Sequence, residues 1–168
     1  LWGSRCVRGL MGLLVLVPTW LSIVILTSLD NGKWLVFVVV LIVASADIGA
    51  YFSGSRFGKN KLSPNVSPNK TWEGFLGAII ANLCVTFLLG IFLKLNLTEW
   101  LMLFFIVMAT VLAAVVGDLL ESMMKRHRGV KDSGNILPGH GGVLDRVDSL
   151  TAALPVFTLI FIYSSFQL

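Results

Sequence analysis

Charge is scarce in this sequence. Of its 168 residues, 13% are Asp, Glu, Lys or Arg, about half the share of an average soluble domain. With 56% hydrophobic residues, that excludes an ordinary soluble fold and leaves the membrane class. Cysteine is nearly absent. Cys6 and Cys84 lie far apart among apolar neighbours, which excludes a zinc spacing and a disulfide framework. No small-residue cleavage site of the A-x-A kind follows the first apolar run, so residues 10–28 read as a span and not as a signal peptide. Internal repeats and low-complexity tracts are absent as well. The chain opens on Leu1 and not on Met. It is read as the C-terminal portion of a longer protein, a single membrane domain over 1–168 with no room for a sizeable soluble unit.

What is plentiful is long apolar runs. Five of them, roughly 10–28, 34–53, 75–93, 100–124 and 143–167, approach or exceed the ~20 residues that a helix needs to cross a bilayer. Barrel strands would be about half as long. The expected fold is therefore all-α and polytopic, with five transmembrane helices and Pro18 and Pro155 tolerated inside them. Lys33 and Lys94 sit in the two short loops. The other 11 Lys and Arg residues flank the opposite helix ends. The positive-inside rule then places the N-terminus and the long loops, about 54–74 and 125–142, in the cytoplasm, and the C-terminus outside. Trp34, Trp72 and Trp100 near span ends read as interfacial anchors.

Acids inside spans are expensive and usually functional. Asp30 and Glu99 read as solvated loop charges, and Asp132 lies in a long loop. Glu73 opens the third span and suits the positive end of its macrodipole. Asp47, Asp118, Glu121, Asp145 and Asp148 remain. Asp118, Glu121, Ser122 and Lys125 share one helix face by spacing, and Asp145 and Asp148 stand three apart at the start of the last span. Carboxylates from two facing helices build a site for a hard cation such as Mg²⁺, which takes one or two carboxylates plus substrate phosphates. Two readings stay open beside it: ion pairs of Asp118 with Arg126 or Asp145 with Arg146, and an ion or proton path.

Around these acids lie bases and glycines. The second long loop carries Lys125, Arg126, Arg128 and Lys131, and ends in Pro138, Gly139, His140, Gly141 and Gly142 just before the last span. Glycines admit close backbone approach, and helix N-termini attract phosphate. His140 could orient a phosphate, ligate metal or move a proton. In the first long loop Lys59 and Lys70 could meet phosphate, while Ser-Pro pairs and hydroxyls before the third span look like helix capping. Together these elements suit a triphosphate with its metal.

Ser122, Lys125-Arg126, Lys131-Asp132, Gly134, Pro138, His140-Gly141-Gly142, Asp145-Arg146 and Asp148 follow one specific pattern over about 27 residues. In it the sequence resembles the phosphatidate cytidylyltransferases of bacterial type, the CDP-diacylglycerol synthases. Asp47-Ile-Gly-Ala-Tyr51, the run from Gly54 to Lys59 and the block from Ser67 to Gly74 also resemble that family, whose members carry further N-terminal spans. The resemblance implies transfer of the cytidylyl group of CTP to phosphatidic acid, giving CDP-diacylglycerol and pyrophosphate for phospholipid biosynthesis. It implies Mg²⁺ as cofactor, a second cation being left open. Asp118, Asp145 and Asp148 would ligate the metal with Glu121 nearby. Lys125, Arg126, Lys131 and Arg146 would hold phosphates, with His140, Gly141 and Gly142 beside them. Ser67, Asn69, Lys70 and Thr71 would contact the nucleotide. The partners implied are CTP, phosphatidic acid and the bilayer of a bacterial inner membrane, with no nucleic acid and a homodimer left open. A CTP-dependent enzyme on another lipid acceptor and an ion- or proton-coupled transporter are the alternatives.

Overall fold

The computed structural model describes residues 5–134, 136 and 141–164, without the side chains of Arg5, Cys6 and Arg8. Among the described residues five α-helices form in order: α1 Arg5–Ser28, α2 Gly32–Phe57, α3 Trp72–Phe92, α4 Leu97–His127 and α5 Asp148–Tyr163. The first four are long and apolar enough to cross a membrane, and the chain is a polytopic membrane protein. α5 has 16 residues, about 24 Å of helix, and falls short of the ~30 Å hydrocarbon core. The expected span over 143–167 is thus shorter at its start. A separate 3₁₀ turn, Leu144–Arg146, precedes it, and Val147 at φ −125° breaks the register between the two.

Two helices run further toward their polar ends than the apolar runs indicate. α2 continues through Phe57 with Arg56 in its last turn. α4 continues through His127 with Lys125, Arg126 and His127 in its last turn. Cations there oppose the partial negative charge of unpaired carbonyls. At its other end α4 starts in a capping box. The Asn96 side chain accepts from the Glu99 N–H at 3.0 Å, and Glu99 accepts from the Asn96 N–H at 2.8 Å. Glu99 is therefore a cap and more than a solvated loop charge.

Leu35, Val38, Val39 and Ile42 of α2 and Leu103, Ile106, Val107 and Val111 of α4 are buried, with Phe157 of α5. Leu14, Trp20, Phe87, Leu88 and Phe105 face outward, as a lipid-facing surface requires. Because lipid is as apolar as leucine, helices in a bilayer associate through close packing of small residues and interhelical hydrogen bonds. The α2–α3 pair uses both. A Cβ on Gly49 would stand 2.5 Å from the Gly77 carbonyl oxygen, so the backbones touch. About one turn further along each helix, Ser45 donates to Asn82 Oδ1 at 3.1 Å, and Asn82 is fully buried. Gly117 of α4 does the same against Ala152 of α5, beside the Asp148 carbonyl.

Pro155 has no N–H for the Thr151 carbonyl, the partner four residues back. That carbonyl meets the Thr19 hydroxyl of α1 at 2.8 Å instead, which also lies 2.7 Å from the Val15 carbonyl and shares its one proton between them. The kink-prone site in α5 is thereby tied to α1.

Among the described residues one element, a hairpin, is not helical. Within the long loop expected over about 54–74, residues 58–71 form an antiparallel hairpin of β1 Lys61–Ser63 and β2 Ser67–Thr71. Lys61 pairs with Thr71 and Ser63 with Ser67, so β2 takes four steps where β1 takes two. Pro68 cannot donate to a ladder, and residues 68–70 bulge opposite Leu62 alone, an excess of two. Thr71 then caps α3, accepting the Gly74 N–H at 3.1 Å.

Candidate active site

The polar ends of α2, α4 and α5, the start of α3 and the hairpin meet at one end of the bundle. The bulge in β2 has a local consequence, since bulges re-aim side chains. Lys70 leaves the ladder and reaches Asp118 Oδ2 of α4 at 2.5 Å. The alternative pairing of Asp118 with Arg126 does not form. Arg126 instead donates from Nε to the Val66 carbonyl in the hairpin turn and from Nη1 to the Val130 carbonyl, both at 3.3 Å. The hairpin base is fixed by Glu73, which accepts from the Asn60 N–H and, at 2.8 Å, from its side-chain amide.

Beside this pair lies a cavity of about 300 Å³, at the lower end of the range for small-molecule sites. Its polar lining comes from Asp47 and Tyr51 of α2, Ser67, Asn69, Lys70 and Thr71 of the hairpin, Asp118 of α4 and Ser149 of α5. Asp47, Asp118 and Asp148 lie near enough for their charges to repel, and Lys70 faces both Asp47 and Asp148. The sequence singled out Asp47 and joined it to Asp118 and Asp148 only as an ion or proton path, not as part of the metal site. The signal was its depth in the span and Tyr51 one turn on.

Glu121, Lys125 and Asp145 form a second group. Lys125 Nζ lies 3.2 Å from Glu121 Oε1 and 2.8 Å from Asp145 Oδ1. Asp145 also accepts the N–H groups of Ser133 and Gly142, each at 2.8 Å to Oδ2. Burial works against its charge, but the Lys125 ammonium and those N–H groups outweigh it and hold the carboxyl well below the usual carboxylate range. Gly141 adopts φ +81°, and a Cβ there would come within 2.8 Å of Asp145 Oδ2. The two glycines thus wrap a carboxylate. The alternative pairing of Asp145 with Arg146 is replaced by Lys125.

The expected single face of Asp145 and Asp148 is also revised. Asp145 sits in the 3₁₀ turn and Asp148 begins α5, so the two carboxylates serve different groups. Asp148 accepts the Ser149 N–H at 2.8 Å. On α4 the expected stripe holds: Ser122 donates to Asp118 at 3.3 Å, one turn from the Glu121–Lys125 contact. Among the described residues no three Asp, Glu, His or Cys side chains converge closely enough to hold a metal by themselves. Lys131 is exposed in the α4–α5 loop, Arg146 is exposed beside Asp145, and His140 lies outside the described residues.

Residues 4–164 match the sequence model of the Cytidylyltransferase family. The chain belongs to that family. Among its relatives, the phosphatidate cytidylyltransferase of Pseudomonas aeruginosa is 50% identical over 156 residues, which cover 93% of this chain and 58% of that protein. The Haemophilus influenzae protein of the same name is 48% identical over 79% of this chain and 47% of its own length. That of Staphylococcus saprophyticus is 46% identical over 79% of this chain and 51% of its own. The chain spans about half the length of these relatives in the family.

Proposed function

We propose that this chain carries the catalytic end of a membrane enzyme that transfers the cytidylyl group of CTP to phosphatidic acid. The observation that supports it is the Asp118 cavity at one polar end of a lipid-facing bundle, in a chain whose family relatives bear the name phosphatidate cytidylyltransferase. Eleven of the 13 Lys and Arg residues lie toward that end. This supports a cytoplasmic site in a bacterial inner membrane.

The donor chemistry at Asp118 fits Mg²⁺. Its carboxylate is part-exposed in a cavity, an ammonium stands against it as a cation would, and Asp47 and Asp148 add negative charge nearby. Asp118 and Asp148 would hold the ion, with substrate phosphates completing the oxygen set. Glu121 and Asp145, expected as ligands with them, hold Lys125 and the loop beside that position in this arrangement. When bound, the ion neutralises charge on the attacking and leaving oxygens.

The chain's own groups do the rest by placement. Lys70, Ser67 and Asn69 line the cavity where a nucleotide would lie. Arg126 and Lys131, both exposed, would meet the phosphates. A phosphatidate oxygen attacks the α-phosphorus, the bond from that phosphorus to the bridging oxygen breaks, and pyrophosphate leaves. The attacking phosphate is already anionic at neutral pH, so the acids serve as ligands and orienters and not as a strong base. The test uses the full-length protein with CTP labelled at the α-phosphate. Label should enter the lipid phase with phosphatidic acid and Mg²⁺ and stop with a chelator. Label entering only with a polyprenyl phosphate would move the reading to another acceptor.

A further inference from the structure

Asp118 is the carboxylate on which the proposed metal site turns, and a lysine already stands on it. That lysine comes from neither α4 nor α5. It is carried by the β2 bulge, between a hairpin base fixed on Glu73 and a turn fixed on Arg126. An ammonium at 2.5 Å from Oδ2 and a divalent cation on the same carboxylate repel strongly at such separations. The two cannot both be tightly held. Without the lysine, Asp47, Asp118 and Asp148 would face one another with less compensation, which partly buried carboxylates resist.

We propose that Lys70 is the resident counter-ion of Asp118 and that the divalent cation displaces it, freeing the ammonium on its hairpin to hold a phosphate of the incoming nucleotide. This rests on the metal-dependent reading above and adds an order to it: the ion enters first and the hairpin lysine is then available. Lys70 on this view has two successive partners, Asp118 before the ion enters and a substrate phosphate after it. Linkage makes the competition reciprocal: whatever removes Lys70 tightens cation binding, and cation binding exposes Lys70.

The experiment uses Mn²⁺ alone, without nucleotide or lipid, on the full-length protein in nanodiscs, with free Mn²⁺ read by electron paramagnetic resonance. Lys70→Gln should bind Mn²⁺ about ten-fold more tightly than wild type, a typical size for coupled sites, and Lys70→Arg should restore the weaker affinity. A damaged fold would weaken binding, so tightening is not a structural by-product. In the wild type, Mn²⁺ should raise labelling of Lys70 by an amine-reactive reagent relative to exposed Lys61, and this arm needs no variant to fold. Mn²⁺ binding that leaves both the Lys70 labelling and the Lys70→Gln affinity unchanged overturns the displacement and leaves the metal reading standing. No Mn²⁺ binding to wild type alone overturns the metal-first order, and no binding when CTP is added overturns the metal reading as well.

Discussion

Lys125 and Asp145 meet at 2.8 Å across the gap between the last turn of α4 and the 3₁₀ turn before α5. The same carboxylate gathers the N–H groups of Ser133 and Gly142, so one ion pair ties the α4 end to both sides of the glycine loop. Removing the lysine leaves Glu121 and Asp145 charged, little exposed and short of a partner. Lys125→Met should therefore lower stability by about 3 kcal/mol, the scale for breaking a buried pair from one side. Thermal unfolding in nanodiscs checks this, and a loss within a few tenths of a kcal/mol would show that the loop is held by other means.

The same carboxylate sets a pH dependence. Its folded value lies below the unfolded one of about 3.9, because Lys125 and the two loop N–H groups outweigh burial. Its contribution is therefore fully present above about pH 4 and is lost as pH falls further toward the folded value. The melting-temperature gap between wild type and Asp145→Asn should stay constant from pH 7 to 5 and narrow only below about pH 4. A gap that narrows already between pH 7 and 6 would contradict the assignment.

The α2–α3 seam admits no side chain at Gly77, where a Cβ would run into the Ser53 side chain. Gly77→Leu should destabilise by about 3 kcal/mol through overpacking, whereas Leu88→Ala on the outer face should change little. The folded fraction of each variant after membrane extraction is the readout.

Thr19 stands in for the N–H that Pro155 lacks. Thr19→Val should cost about 1 kcal/mol. In a Pro155→Ala background Ala provides the N–H to the Thr151 carbonyl, so the cost should shrink. A double-mutant cycle measures the coupling, and simple additivity would show that the contact carries no energy.

The helices were legible because long apolar runs leave few alternatives to a spanning helix. The α4 stripe was legible because Asp118, Ser122 and Lys125 fall at helical spacing. Helix periodicity failed between Asp145 and Asp148, where a 3₁₀ turn intervenes and turns the two carboxylates apart. It also could not show Lys70 meeting Asp118, a contact made by a two-residue excess in a short hairpin whose strands carry no clear alternation. The seam at Gly49 and Gly77 was present in the sequence as small residues, but its meaning depends on which helices are neighbours.

On the proposed reading, Asp118 holds the cation on which the reacting phosphates gather. Asp118→Asn in the full-length protein probes this, with transfer of α-labelled CTP to phosphatidic acid as the readout and thermal unfolding as the control for folding. The account predicts a folded variant whose turnover falls about 10²-fold or more, the scale for losing one electrostatic group at a reacting centre. A folded variant that turns over at the wild-type rate would contradict it and place the chemistry elsewhere in the bundle.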